Sequence, residues 1–181
     1  SLLRKEFYDL EKKNNPIDKV NLLIIGGSQG AKLFDTIIET IIEINKKYEL
    51  KIFQQTNSEN LKNAYLVNNV DNELFGFDKD VSNYMNKSNI CITRAGASTL
   101  AELIFLNIPH IAIPLLSAKD NHQFENASFY EKQGCNWIIS QNEINKISLT
   151  EKLVNIIENK EEYLNKKKNM KNFSYNNTWQ I

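Results

Sequence analysis

The sequence predicts an α/β protein built on a doubly wound, parallel sheet, and three observations lead to this. Short runs of apolar and β-branched residues alternate with segments of helical periodicity, which is typical of repeated βα units. The first such run is followed at once by a glycine-rich turn, "GGSQG", and then by a helical segment. A chain of 181 residues with 41% hydrophobic residues is long enough for one packed domain.

Composition excludes several classes of function. The chain carries 22 basic and 22 acidic residues, so no net field favours nucleic acid or an anionic membrane. Its two cysteines, Cys91 and Cys135, lack the paired spacing of a metal site or disulfide framework, which suits a cytoplasmic protein. No apolar run is long enough to span a membrane, and charges interrupt the apolar residues of the N-terminal segment, which is not typical of a signal peptide. Because the chain begins without Met, we expect it to be a piece of a longer protein.

The strands are placed on the apolar and β-branched runs, and the helices on the periodic segments between them. The predicted strands are Val20–Ile25, Lys51–Gln55, Tyr65–Val67, Leu74–Phe77, Ile90–Thr93, His110–Ile113 and Trp137–Ile139. The predicted helices are Ala31–Lys47, Glu59–Asn63, Val81–Lys87, Thr99–Leu106, His122–Lys132, Ser148–Asn159 and Lys160–Lys168. Asn14-Asn15-Pro16 breaks the pattern, so residues 1–16 are predicted to be a lead-in segment, 17–169 the domain and 170–181 a tail.

The glycine-rich turn allows two interpretations of Ser28. Gly26, Ser28 and Gly30 fit the G-x-S-x-G pattern of a hydrolase nucleophile elbow, yet glycines between a buried strand and a helix also let the backbone approach a phosphate. The hydrolase fold places several strands before its elbow, whereas one strand precedes Ser28 here, and neither His110 nor His122 is a convincing triad partner. The turn also lacks the spacing of a dinucleotide fingerprint and the Lys-Ser/Thr of a Walker A loop. A phosphate-side contact by Ser28 is therefore favoured over a nucleophile, and a tight strand-to-helix turn that binds no ligand stays open as an alternative.

The second loop, "TRAGASTLAEL", also allows two interpretations. Thr99 and Glu102 fit a capping box, in which a hydroxyl and a carboxylate satisfy backbone N–H groups at a helix start. They also lie three residues apart on one helix face, where the hydroxyl could reach a phosphate and the carboxylate could accept two ribose hydroxyls. The residues of this loop alone do not separate the cap from the ligand site.

The third loop precedes a helix and concentrates polar side chains. In "PLLSAKDNHQFENASF" a predicted strand ends at Pro114, and His122, Gln123 and Asn126 follow at the helix start. Such donors and acceptors are typical of sites that bind sugar hydroxyls, although a single polar helix start is also a common surface cap. The carboxyl ends of parallel strands meet at one sheet edge, so the three loops are predicted to share one site.

Taken in order, "GGSQGA", "TRAGASTLAEL" with "NIPHIAIPL", and "DNHQFENA" make the chain similar to the C-terminal domain of glycosyltransferase family 28, in its peptidoglycan-synthesising branch. The resemblance covers nearly the whole chain. It implies a GT-B glycosyltransferase, in which two Rossmann-like domains face a cleft and this one holds the donor, UDP-N-acetylglucosamine. It further implies inverting transfer of N-acetylglucosamine to lipid I to form lipid II, without a metal ion, by a peripheral protein at the cytoplasmic face of the bacterial inner membrane.

The resemblance also assigns roles to individual residues. Arg4 and Ser28 would lie near the diphosphate, Asp78 would offer backbone atoms to uracil, and Glu102 would hold the ribose. The full set of implied donor-binding residues is Arg4, Gly27, Ser28, Gln29, Gly30, Asp78, Ala97, Ser98, Thr99, Glu102, His122, Gln123 and Asn126. No catalytic residue is assigned, because the family's N-terminal domain, which supplies the acceptor site and the base, is absent from this chain.

The sequence departs from the family pattern at two further places. Gln54 stands where the family usually has His, and Asp78 replaces a usual apolar residue. Two alternative functions stay open: a UDP-sugar epimerase or another sugar-nucleotide transferase, and a non-catalytic nucleotide-binding domain.

Overall fold

A six-stranded parallel sheet forms the centre of the part of the chain that is described. The computed structural model describes residues 19–26, 37–115 and 121–178. Its strands are β1 Lys19–Ile25, β2 Glu49–Gln55, β3 Asp71–Phe75, β4 Ile90–Thr93, β5 His110–Ala112 and β6 Trp137–Ile138. The strand order is β3-β2-β1-β4-β5-β6, and every neighbouring pair is parallel. The predicted α/β fold with a doubly wound sheet is confirmed.

Helices connect the strands and cover both faces of the sheet. They are α1 Ile38–Asn45, α2 Glu59–Val67, α3 Ser82–Asn86, α4 Ala97–Phe105, α5 Asn121–Lys132, α6 Lys146–Glu158 and α7 Lys160–Thr178, with a short 3-10 turn at Gln141–Glu143. Alternate residues of β1 point to opposite faces, as strand geometry requires. Leu22 and Ile24 pack with Ile41 of α1, whereas Leu23 packs with Met85 of α3 on the other face.

The segment predicted as a strand at Tyr65–Val67 is the last turn of α2, so this prediction was wrong. Ser58 caps the helix by accepting a hydrogen bond from the backbone N–H of Leu61 (3.2 Å). Leu61 and Tyr65, four residues apart, share the buried face of the helix, while Leu66 and Val67 are exposed. The apolar run therefore follows the helical period, and β3 begins at Asp71 rather than at Leu74.

Most other boundaries lie within a few residues of the predicted ones, and two helices, α1 and α7, differ more. α1 begins at Ile38, and the first part of the helix predicted from Ala31 lies outside the described residues. α7 continues to Thr178 instead of ending at Lys168, because Tyr163 and Met170, seven residues apart, both face the core. The predicted boundary at residue 169 thus falls inside a helix.

Candidate functional site

A cavity lies where the strand order reverses. The order turns back between β1 and β4, and in open α/β sheets ligands bind outside the carboxyl ends of the strands at this point. A cavity of about 460 Å³ opens there. Its floor includes Ile25 and Gly26 at the end of β1, Gln55 at the end of β2, and Thr93 and Arg94 at the end of β4. The site predicted from the loops and the cavity therefore share one sheet edge.

The loop after β3 and the helix starts of α4 and α5 form the cavity walls. One wall is formed by the segment from Lys79 to Ser82 together with Met85 of α3. The other contains Thr99 and Glu102 of α4, and Gln123 of α5. Three of the predicted site residues, from two separate loops, are thus brought together.

The start of α4 excludes the capping box predicted for Thr99 and Glu102. Gly96 is the N-cap, with extended backbone, and the helix begins at Ala97, so Thr99 is the third helical residue and cannot be the cap. The turn that leads into the helix is made by Ala95, which is buried and has a φ of 76°. The capping box is thus excluded, and the roles of Thr99 and Glu102 as ligand groups stay predictions.

Glu102 lies on the second turn of α4 with its side chain exposed beside the cavity. The structure gives its carboxylate no hydrogen bond or ion pair with another described residue. Two acceptor oxygens are therefore available to a ligand, which suits a pair of vicinal hydroxyls. Ala97 and Ser98 are exposed on the first turn, but neither is among the described residues that line the cavity.

Gln123 has a defined hydrogen-bonding polarity. Its Oε1 accepts a hydrogen bond from the backbone N–H of Leu115 (2.7 Å), in the segment after β5. Because a backbone N–H can only donate, the side-chain atom facing it must be the amide oxygen. The side-chain NH₂ then remains as a hydrogen-bond donor on the cavity wall. Gln123 can bind an acceptor such as a sugar oxygen.

The two other polar residues predicted at the start of α5 lie outside this lining. His122 is exposed, and its Nδ1 is 3.9 Å from the Glu125 carboxylate. Asn126 is partly buried, one turn further along α5 than His122. Neither is among the described residues that line the cavity.

Arg94 is a site residue that the sequence analysis missed. Its side chain is 6% exposed and lies at the cavity floor directly after β4. Its Nη1 donates a hydrogen bond to Oε1 of Gln141 (2.9 Å) in the 3-10 turn after β6. Burial lowers the pKa of the guanidinium, which stays positively charged at neutral pH because its ordinary pKa is so high. A buried cation at a cavity floor is suited to bind a phosphate group.

Asp78 lies in the loop after β3, next to Lys79 of the cavity wall, but is not itself among the described residues that line the cavity. Asp78 is exposed, and its carboxylate lies against the backbone of Gly76, where a Cβ atom would come within 2.8 Å of its Oδ1. The backbone N–H of Lys79 donates to the carbonyl of Gly76 (3.3 Å), which closes a tight turn before the wall-forming residues. The predicted backbone contact of Asp78 with uracil stays a prediction.

Gln54, which departs from the family pattern, points away from the cavity. Its side chain is 1% exposed, and its Oε1 accepts a hydrogen bond from the hydroxyl of Tyr65 in α2. Successive strand residues face opposite sides of the sheet, so Gln55 rather than Gln54 reaches the cavity. The departure at Gln54 therefore affects the packing of α2 on the sheet.

The remaining predicted residues, Arg4, Gly27, Ser28, Gln29 and Gly30, lie outside the described residues. Within the described ranges, no three His, Cys, Asp or Glu side chains are grouped so that they could hold a metal ion. In the same part of the chain, no helix is both long and apolar enough to cross a bilayer.

The strand order and the position of the cavity define a Rossmann-like domain, the kind that forms each half of a GT-B glycosyltransferase. Residues 21–179 match the model of the glycosyltransferase family 28 C-terminal domain. The chain belongs to this family, which confirms the resemblance predicted from its three loops.

Two curated relatives carry the same name, UDP-N-acetylglucosamine--N-acetylmuramyl-(pentapeptide) pyrophosphoryl-undecaprenol N-acetylglucosamine transferase. The one from Pelagibacter ubique is 60% identical over 99% of this chain and 51% of its own length. The one from Rickettsia bellii is 36% identical over 93% of this chain and 51% of its own length. The chain thus spans about half the length of these curated relatives.

Solved structures agree on the fold. The crystal structure of Acinetobacter baumannii MurG matches with a TM-score of 0.67 and 25% identity, over 84% of this chain and 47% of that one. A putative UDP-N-acetylglucosamine 2-epimerase from Listeria monocytogenes matches with a TM-score of 0.61 at 14% identity, over 83% of this chain and 40% of that one. The second likeness shows a shared fold and no more.

Proposed function

We propose that this chain is the donor-binding half of an inverting glycosyltransferase that moves N-acetylglucosamine from UDP-N-acetylglucosamine to lipid I, forming lipid II. One observation carries the proposal: Arg94, Glu102 and Gln123 lie around one cavity at the sheet's switch point, in a chain of family 28. Their chemistry matches the three parts of a nucleotide sugar that follow the base, because a cation suits the diphosphate, a carboxylate the ribose diol and an amide donor the sugar.

The remaining predicted contacts complete this proposed donor site. Ser28, with Gly27, Gln29 and Gly30 of the glycine turn, would bind the diphosphate, joined by Arg4. The backbone at Asp78 would bind uracil, Ala97, Ser98 and Thr99 would line the nucleotide, and His122 and Asn126 would face the sugar. The family resemblance and, for Thr99, the cavity wall support these roles. No metal ion is part of the proposal.

In the proposed reaction, the C4 hydroxyl oxygen of the muramyl residue bonds to the anomeric carbon of the donor, while the bond from that carbon to the diphosphate oxygen breaks. The configuration inverts, the hydroxyl proton passes to a base outside this chain, and UDP leaves. Arg94 and the glycine turn would stabilise the negative charge that develops on UDP. The acceptor would bind to the other half of the enzyme, at the cytoplasmic face of the inner membrane.

Calorimetric titration of the 181-residue chain with UDP-N-acetylglucosamine, UDP-N-acetylgalactosamine and UDP tests the proposal. We expect UDP and its N-acetylglucosamine conjugate to bind, NAD and ATP not to compete, and no sugar to be transferred by this chain alone. Transfer to a lipid I analogue by this chain would contradict the half-site assignment. NAD binding as tight as UDP binding would indicate a dinucleotide enzyme instead.

The variant Gln123→Glu tests the sugar end of the cavity. A carboxylate can still accept the hydrogen bond from Leu115, but an ionised one can donate none to the ligand. We expect it to weaken binding of UDP-N-acetylglucosamine roughly fivefold to tenfold, the value of one hydrogen bond, and to change UDP binding less. The matched control is Gln133→Glu, the same change at an exposed position beyond the end of α5. Equal losses for both ligands, or a loss in the control, would count against Gln123 as a sugar contact.

A further inference from the structure

The contact between Arg94 and Gln141 joins the cavity floor to an element outside the three predicted loops. Arg94 follows β4 directly, and Gln141 lies 47 residues later, in the 3-10 turn after β6. The Nη1 to Oε1 distance of 2.9 Å is that of a well-formed hydrogen bond. A turn at the far edge of the sheet therefore reaches the floor of the cavity through one side-chain contact.

The chemical nature of Gln141 gives this contact a particular consequence. An amide oxygen can fix one nitrogen of the guanidinium, yet it carries no negative charge that would offset the cation. An Asp or Glu at this position would hold Arg94 equally well and would also neutralise it. The guanidinium has five N–H donors in a rigid, planar arrangement, so fixing one nitrogen also sets the direction of the others.

The backbone beside Arg94 restricts the same side chain from the other end. Ala95 is buried with a φ of 76°, and Gly96 then caps α4, so the chain turns sharply immediately after Arg94. This turn sets where the Arg94 side chain starts, and the hydrogen bond to Gln141 holds its Nη1 at the other end.

We propose that Gln141 is a positioning residue, which holds the Arg94 guanidinium at the cavity floor in the orientation that binds the diphosphate of the nucleotide. The inference rests on the proposed function, because it needs a nucleotide diphosphate in this cavity. It adds a residue from the 3-10 turn after β6 to a donor site that the sequence motifs place on three other loops.

The test compares three ligands, uridine, UMP and UDP, on the full 181-residue chain and two variants. Gln141→Glu keeps the hydrogen bond to Arg94 and adds a negative charge, and Gln141→Ala removes the bond. We expect Gln141→Glu to weaken UDP binding about tenfold to a hundredfold, and Gln141→Ala about fivefold, the values of a charge-assisted and an ordinary hydrogen bond. Uridine binding, followed by ligand-observed NMR, should stay within about twofold for both, since uridine has no phosphate.

A double-mutant cycle separates positioning from a general effect of added charge. In the Arg94→Met background, Gln141→Glu should change UDP affinity less than threefold, because the residue through which it acts is gone. Gln133→Glu, exposed beyond the end of α5, is the charge-matched control and should leave all three affinities unchanged. Should Arg94→Met fail to fold, the UDP-to-uridine affinity ratio of the Gln141 variants decides the question without it.

The outcomes distinguish this inference from the function on which it rests. If the parent chain binds UDP and Gln141→Ala, which loses the hydrogen bond to Arg94, binds it equally well, the positioning role of Gln141 is wrong while the donor site stands. Unchanged UDP binding by Gln141→Glu would also overturn the inference, because the added charge would then not affect the group that binds the diphosphate. A parallel loss of uridine and UDP affinity would also overturn it, because a purely structural role predicts that result. If the parent chain binds no UDP, the proposed function fails and the inference fails with it.

Discussion

Replacing Glu102 with Gln separates its role in a ligand site from any role in the fold. The structure assigns the cap of α4 to Gly96, and the Glu102 carboxylate makes no hydrogen bond or ion pair with the described residues. Loss of a true cap would cost about 0.5 to 2 kcal/mol, whereas an exposed substitution without partners changes stability by less than about 0.5 kcal/mol. We therefore expect Glu102→Gln to melt within about 2 °C of the parent, since 1 kcal/mol corresponds to roughly 2–4 °C in a domain of this size.

The expected loss of UDP affinity is much larger. An ionised carboxylate that accepts from two ribose hydroxyls forms charge-assisted hydrogen bonds, and Gln keeps one oxygen but loses the charge. The cost should be about 1.5 to 3 kcal/mol, or roughly tenfold to a hundredfold in the dissociation constant measured by calorimetry. Glu151→Gln, the same change at an exposed position of α6, is the control. A Glu102→Gln variant with parental UDP affinity and an unchanged melting temperature would refute the ribose role.

Two further predictions concern stability. His110 is buried and its pKa is lowered from 6.5 to about 4 by burial, so it is neutral in the folded state while the unfolded chain takes up a proton. The contribution of neutral His110 to the free energy of unfolding is therefore fully present above pH 6.5, and this free energy should fall by about 3 kcal/mol as the pH drops to 4. Urea unfolding across this pH range measures the fall, and an NMR titration of the His110 ring measures its pKa. Asn145 caps α6 in a reciprocal pair with Ser148 (2.9 and 3.0 Å), so Asn145→Ala should lower the free energy of unfolding by about 1 kcal/mol, as measured by urea unfolding at neutral pH. An unchanged free energy of unfolding would contradict the contribution of this cap.

The fold could be predicted from local patterns because parallel strands are buried on both faces and appear as continuous apolar runs. β1 and β4 are the clearest cases, and β4 has the predicted bounds. Tyr65–Val67 was predicted as a strand because an aromatic and a β-branched residue favour strands locally. The contrary signal is that Leu61, four residues earlier, is buried in the same cluster as Tyr65, which is the spacing of a helix.

The site was predicted in part for a related reason. Polar helix starts leave a signal within a few residues of sequence, and Thr99, Glu102 and Gln123, which these signals predict to share one site, line one cavity. Their contacts with a donor stay predictions. Arg94 leaves no such signal, because a single Arg after a strand is common, and its hydrogen-bond partner Gln141 lies in a turn 47 residues away. Whether Glu102 belongs to a capping box likewise depends on the residue at which α4 begins. Hydrophobic periodicity does not define that residue, because helix boundaries are set by cap geometry.

Whether Glu102, Arg94 and Gln123 can donate or accept hydrogen bonds determines which ligands the cavity can select. Glu102 can only accept, Arg94 can only donate, and Gln123 has its oxygen engaged by Leu115 and is left to donate. A ligand that fits must therefore offer hydroxyl donors, an anion and an acceptor. In the proposed site, ribose and diphosphate would supply the first two in every ribonucleoside diphosphate, so Glu102 and Arg94 would contribute affinity without distinguishing one base from another. Under the same proposal, discrimination among sugars would fall to the end of the cavity at Gln123, and discrimination among bases to the wall that follows β3.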